Sequence, residues 1–272
     1  MSTITPLDLP PTARSPYPGA RDAIPPWLSL RAPLRARFAR SQRDLEAIQR
    51  LRYRVFNLEL GEGLASARRT GRDADAHDTS SHHLMVIDER AGIVVGTYRL
   101  ATRAMTADAG FYAEREFDLG ALDPALLAGS IELGRACIAA AYRGRRVLAM
   151  LWQGIAAYAA HNRARFLFGC TSLPAAFAPA ADAITHALDA AGFVDTNLLV
   201  KPRAGFEPDT APDAAPFALD AIPPLLRRYL AMGARVAPRP ALDRDFGTLD
   251  YFTALDALRL LGTGRARWLR AD

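Results

Sequence analysis

Apolar and polar positions change rhythm several times along this chain, and each change marks an element. Residues 34–40 alternate with period two, which predicts a strand. Ser41 follows, with Asp44 three positions on, and this pair reads as a helix N-cap with an acid in the first turn. Leu45, Ile48, Leu51, Tyr53, Val55 and Phe56 then carry a helix to about residue 58. Residues 61–81 are polar and rich in Gly, Asp and Arg, and read as a loop. The apolar runs 83–88 and 93–100, separated by the turn 89–92, predict a β-hairpin.

Residues 101–128 read as irregular with a short helix, 130–140 as a core strand and 147–161 as an apolar helix. A strand at 165–171, a helix at 179–191 and a strand at 193–201 follow. Residues 203–221 form a surface insertion rich in Pro, Asp and Ala, and 223–232 a helix with Pro at its start. A last strand at 247–253 leads into a terminal helix from about Ala254. The order β-α-β-β-β-α-β-α-β excludes an all-parallel doubly wound sheet. It predicts an α+β sandwich, a mixed and largely antiparallel sheet with helices on both faces. Residues 1–33, with many prolines, read as a loose arm, and 34–272 as one domain with a C-terminal extension from about 203.

Half of the 272 residues are hydrophobic, enough for a real core. The net charge of +5 fits an acidic partner: nucleic acid, anionic lipid or an acidic carrier protein. No basic stripe interleaved with aromatics is visible, which sets nucleic acid last. Cys137 and Cys170 sit in apolar runs and read as buried, reduced thiols. The first residues lack the pattern of a signal peptide. The longest apolar run, 147–160, is short of the ~20 residues that span a bilayer. A cytoplasmic protein is expected.

Three places carry candidate chemistry. Glu132-Leu-Gly-Arg135 puts an acid and an arginine inside an apolar strand, which costs free energy unless they pair or work. A bulge at Gly134 would bring both to one side and splay the strand. Freed N–H groups could then hold a thioester carbonyl, with Glu132 taking a proton from an attacking ammonium. A structural ion pair at a sheet end is the competing reading. Arg143, Gly144, Arg145 and Arg146 form a basic Gly loop at a helix start, suited to a phosphate or simply solvated. Asp73, Asp75 and Asp78, with His82 and His83 beyond, fail as a calcium loop: its sixth position is Asp78 and its twelfth Leu84. They read as a charged lid that binds a cationic amino acid or pairs with Arg52, Arg54 and Arg99, or as a solvated loop. No metal site is assigned.

Taken together, Arg52 with Phe56, Asp73/Asp75/Asp78, Arg99, and Glu132 with Arg135 resemble the acyl-homoserine lactone synthase branch of the GNAT superfamily. The segments Val95-Gly-Thr-Tyr-Arg-Leu100, Gly110-Phe-Tyr112, Glu116-Phe-Asp-Leu119, Leu151-Trp-Gln-Gly-Ile155, Leu167-Phe-Gly-Cys170, Asp245-Phe-Gly247 and Asp250-Tyr-Phe252 resemble more closely the ornithine-lipid N-acyltransferases and related hemolysin-like acyltransferases. Lactone synthases lack that tail. They also favour a Trp where this chain has Leu60-Gly61-Glu62-Gly63.

The resemblance implies an enzyme that moves a 3-hydroxyacyl group from acyl carrier protein to the α-amine of ornithine, with no bound cofactor beyond the phosphopantetheine thioester as co-substrate. It implies Glu132 as general base, and Arg135, Arg99, Arg52, Phe56 and the three aspartates as the acceptor pocket and its support. Arg143, Gly144, Arg145 and Arg146 would meet the pantetheine phosphate and the carrier. Glycine, lysine or glutamine as acceptor, and a signal synthase, are the alternatives. A lytic protein is the third class, and the basic stretch 258–270 could touch the inner membrane or be an ordinary surface helix.

Overall fold

The computed structural model describes residues 17–106, 109–211 and 214–258. One large sheet runs through it in the order β1 (Leu28–Arg31), β2 (Leu34–Phe38), β3 (His82–Asp88), β4 (Ile93–Thr102), then β6 (Ser130–Ile138), β7 (Phe166–Pro174), β11 (Thr248–Asp256) and β10 (Ala241–Asp243). β9 (Arg235–Val236) adds to β11, and β5 (Phe117–Asp118) pairs with β8 (Lys201–Pro202) apart from the main sheet. Every neighbouring pair is antiparallel except β6 and β7, which run parallel. The expected mixed, largely antiparallel sheet is present.

Helices cover both faces. On β3, Leu84 and Val86 pack with the apolar α4 (Arg145–His161), whereas Met85 and Ile87 pack with α1 (Gln42–Tyr53). That period-two division, with both faces covered, is why β3 reads as an unbroken apolar run. Ser41 caps α1 by accepting from the Asp44 N–H at 3.2 Å. Asp44 in turn accepts from Arg37 and from the Arg40 N–H. Beyond Tyr53 the helix widens into a π-helical stretch, Arg54–Glu59, which keeps Phe56 buried against the sheet.

Four expectations change. Residues 17–33 are built rather than loose: Tyr17 donates to or accepts from His83 at 2.8 Å, Ile24 is buried, and Trp27 meets Phe38 edge-on. Proline-rich composition had outweighed these apolar anchors; residues 1–16 lie outside the described residues. The 61–81 loop holds α2 (Ala67–Thr70) and a short turn, Ala76–Asp78, capped by Asp75. Residues 193–201 are not a strand, because Asp195 and Asn197 fold into a turn and leave only a bridge from Val194 to Val236. β11 continues to Asp256, two residues past the expected start of the terminal helix, whose course from 259 lies outside the described residues. The helices α3 (Pro124–Ala128), α5 (Ala181–Ala190) and α6 (Pro224–Ala231) lie where short or apolar helices were read. Among the described residues no helix is long and apolar enough to cross a membrane.

Candidate active site

The centre of the sheet is split. β6 and β7 pair only through Ser130, Ile131 and Glu132, opposite Phe166, Leu167 and Phe168, and then part. Gly169 marks the divergence: a Cβ there would lie 2.1 Å from the Leu133 carbonyl oxygen, so only glycine lets the two backbones touch before they separate. Past that point the facing edges carry backbone groups outside the sheet ladder. A cavity of about 350 Å³ occupies the gap. Glu132, Arg99, Arg135, Tyr112, Cys170 and Asp250 line it, as do Tyr98, Leu133, Trp152 and Tyr229.

The bulge sits one residue later than the sequence placed it. Thr97 pairs with Cys137 but Arg99 with Gly134, so β6 carries an extra residue against β4. The residue with positive φ is Arg135, at 48°, while Gly134 stays regular. Without the bulge, Glu132 and Arg135 would face opposite sides. With it, Arg135 turns onto the face of Glu132 and Arg99, and its guanidinium reaches Asp75 at 2.9 Å.

Glu132 is buried, and one oxygen accepts from the Tyr112 N–H at 2.8 Å, the other from the Ala113 N–H at 2.7 Å. Burial pushes its pKa up to about 7, against the downward pull of those two N–H groups and of Arg99. A carboxylate oxygen accepts more than one bond, so each keeps a lone pair free to take a proton. The competing reading, a Glu132–Arg135 ion pair, has no contact to support it: Arg135 pairs with Asp75 and Asp73 instead.

The three aspartates are consumed by the three arginines. Fully buried Arg52 donates to Asp73 through Nε at 2.7 Å and to Asp78 through Nη1 at 2.6 Å. Arg99 Nη1 donates to both oxygens of Asp75, at 2.6 and 2.7 Å, and to Asp78 at 3.2 Å. Burial alone would raise Asp75 and Asp78, yet Arg99 and Arg135 on the first and Arg52 on the second hold both below the ordinary carboxylate range. The acidic stretch is thus neither a solvated loop nor a set of free carboxylates awaiting a cation, and Arg54 takes no part, being exposed. Phe56 meets Phe246 edge-on, and Phe246 lies under the Arg135 guanidinium. His82 spends both ring nitrogens on Tyr158 and the Gly19 carbonyl; His83 Nδ1 meets Tyr17, and its Nε2 faces Asp78 Oδ1 at 3.4 Å.

The basic Gly loop follows β6 directly. Gly144 is extended and caps α4 with no side chain, leaving the first-turn N–H groups open. Arg143 is tied to Glu59 and to the Ile138 carbonyl, and Arg146 is exposed. The side chain of Arg145 lies outside the described residues.

Several site residues escaped physical reading of the sequence. Tyr112 is a hub, with the guanidinium carbons of Arg99, Arg115 and Arg135 at 4.9–5.2 Å from its ring. Glu116, Asp243 and Asp250 are buried together, and Asp250, an acid inside the apolar run of β11, was the available signal. Cys170, expected in the core, lies half-buried on the cavity wall, and burial with nearby Glu116 and Asp250 keeps its thiol protonated.

The model of the acetyltransferase (GNAT) domain matches residues 51–153. An L-ornithine N(alpha)-acyltransferase of Agrobacterium fabrum is 36% identical over 249 residues, covering 84% of this chain and 83% of the relative. The enzymes of that name from Brucella abortus and Rhizobium meliloti are 35% and 34% identical; the alignments cover 84% and 85% of this chain and 85% and 82% of theirs. Among solved structures, the AHL synthase LasI aligns with TM-score 0.46 at 14% identity, over 84% of this chain and 95% of that one. With 36% identity along most of its length, this chain is an acyltransferase and belongs to the L-ornithine N(alpha)-acyltransferase family.

Proposed function

We propose that this protein transfers a fatty acyl group from a thioester to the α-amine of L-ornithine, giving an N-acylornithine. The observation that carries the reading is Glu132: a buried carboxylate of pKa about 7 on the cavity wall, where the sheet opens. A group poised near neutrality suits proton abstraction from an ammonium at physiological pH. The acceptor comes from the family's name.

The chemistry is an aminolysis. The α-ammonium gives a proton to Glu132, and the freed nitrogen lone pair attacks the thioester carbonyl. The C–N bond forms, negative charge gathers on the carbonyl oxygen, and the C–S bond breaks; the second proton shed by the attacking nitrogen goes to the departing sulfur, which leaves as the thiol. Backbone N–H groups on the parted edge of β6 are the donors for that oxygen. Arg99 and Arg135 line the cavity and offer positive charge to the acceptor's carboxylate. Arg52 touches no part of the cavity; it holds Asp73 and Asp78, which hold the loop against Arg99 and Arg135.

The donor in this reading is a 3-hydroxyacyl group on the phosphopantetheine of acyl carrier protein. The open start of α4 and the arginines Arg143, Arg145 and Arg146 suit the pantetheine phosphate and an acidic carrier. The reaction runs in the cytoplasm, with the amphiphilic product leaving to the inner membrane.

Mass spectrometry of lipid extracts from cells expressing the chain tests the reading. A new species with the mass and fragments of N-(3-hydroxyacyl)ornithine, absent from the vector control, is expected. Another acylated amino acid would move the acceptor, and an acyl-homoserine lactone in its place would overturn the reading.

A further inference from the structure

The established pairings leave one end of the cavity electrostatically unbalanced. Glu116, Asp243 and Asp250 each place an oxygen within 4.8 Å of the others. All three are buried, at 0%, 2% and 3% exposure. Glu116 is the decisive one: neither of its oxygens meets a hydrogen-bond partner of good geometry, and Oδ1 of Asp250 is equally unmatched. Its polar neighbours are Asp250, Asp243 and the Cys170 thiol, and no arginine pairs with it among the described residues. A buried carboxylate in that condition costs free energy that only a cation or a proton relieves.

Of the three, Asp250 reaches the cavity wall, and Glu116 and Asp243 stand behind it. Asp250 lines the same cavity as Glu132, and so does half-buried Glu62, whose pKa is pushed up to about 7 by burial and then by Asp250. Glu62 lies in the stretch where lactone synthases favour Trp. The far side of the cavity has the opposite character, since there every aspartate is matched by a guanidinium. Among the described residues, the Glu116 end offers a cation carboxylate oxygens that no guanidinium holds.

Tyr112 measures the separation. Its backbone N–H donates to Glu132, and its hydroxyl donates to Asp243 at 3.4 Å. The base and the trio therefore stand one tyrosine apart. Extended ornithine spans about 6 Å between its nitrogens at bond lengths near 1.5 Å. Two hydrogen bonds of about 2.9 Å bring that reach to about 12 Å, comparable with the path from Glu132 through Tyr112 to Asp243, which is itself a tyrosine with a hydrogen bond at each end.

We propose that Glu116, Asp243 and Asp250 seat the side-chain ammonium of the acceptor, and so make this enzyme select a diamino acid over neutral amino acids. Three N–H donors of an ammonium meet three carboxyl groups, and the proton that relieves Glu116 in the empty site is displaced when the cation enters. The proposal rests on the ornithine reading above and adds to it the residues that distinguish ornithine from glycine or glutamine. Asp243 is the least free of the three, because Oδ1 already accepts from the Asp245 and Phe246 N–H groups.

The test compares ornithine with norvaline, which has the same carbon chain without the terminal amine, as acceptors for the purified full-length protein. The wild type is expected to favour ornithine by at least ~100-fold in kcat/KM, as buried polar groups left unpaired by the analogue demand. In Glu116→Gln and Asp250→Asn that ratio is expected to fall toward one. A wild-type ratio near one, with acylornithine still formed, overturns the proposal and leaves the ornithine reading standing, and it needs no variant to fold. An unchanged ratio in both variants overturns it as well. Titration of Mg²⁺, Mn²⁺ and Zn²⁺ by calorimetry forms a second arm: one ion bound by the wild type, lost in Glu116→Gln and required for the ornithine preference, would replace the ammonium by a metal. Failure of the wild type to acylate ornithine from any thioester takes down both readings together.

Discussion

Two groups of buried carboxylates flank one cavity, and the protein treats them in opposite ways. Asp73, Asp75 and Asp78 meet Arg52, Arg99 and Arg135 in a network with equal numbers of each sign. Among the described residues, Glu116, Asp243 and Asp250 meet no guanidinium. In the first group every carboxylate has a guanidinium partner, and the network fixes the position of the bulge that carries Arg135. The second is unfinished, and burial pushes Glu116 up to about 10, with Asp250 and Asp243 adding to the rise. A balanced buried network builds structure, whereas an unbalanced one awaits a ligand or a proton.

Breaking the balanced side has the largest expected effect on stability. Arg52→Met keeps much of the volume but takes from Asp73 and Asp78 their shortest guanidinium contacts, and a loss of about 3–5 kcal/mol is expected. Urea unfolding at pH 7 checks it, and a loss below about 1 kcal/mol would mean that the network is ornamental.

The unbalanced side responds to pH with the opposite sign. Asp75 and Asp78 have folded pKa values below their ordinary ones, so their contribution holds at neutral pH and fades only as pH falls through those low values. Glu116 has a folded value near 10 against an ordinary 4.5, so the folded state binds the extra proton. Its contribution is therefore lost as pH climbs from 4.5 toward 10. Glu116→Gln removes that slope. The variant is expected to match the wild type in urea midpoint at pH 5.5 and to exceed it at pH 9. A wild-type advantage that grows with pH would contradict the account.

The same contrast explains what the sequence could disclose. The hairpin of β3 and β4, the Ser41 cap and the apolar α4 followed from periodicity and local chemistry, which residues a few positions apart decide. The bulge is legible in an acid and an arginine three apart in an apolar strand, although sterics point to Gly134 and the left-handed residue is Arg135. Its partners supply the reason: from that backbone the guanidinium reaches Asp75 at 2.9 Å. Asp73, Asp75 and Asp78 looked like a solvated or cation-seeking loop because nothing local shows that Arg52, Arg99 and Arg135 converge on them. The trio was the least legible, since Glu116, Asp243 and Asp250 lie in separate segments that only the fold brings together. Val194 and its neighbours failed as a strand because Asp195 and Asn197 turn the chain, a local signal outweighed by the apolar run around it.

The central claim is that Glu132 takes the proton from the attacking amine. Glu132→Gln keeps the size of the side chain and one acceptor oxygen while removing the base. With purified protein, an acyl thioester and ornithine, the account predicts a fall in kcat of about 10²–10⁴-fold with donor binding retained. It also predicts that the wild-type kcat/KM rises tenfold per pH unit up to about 7, a limb that the variant lacks. Turnover of Glu132→Gln within a few-fold of wild type, with the acid limb still present, would contradict it.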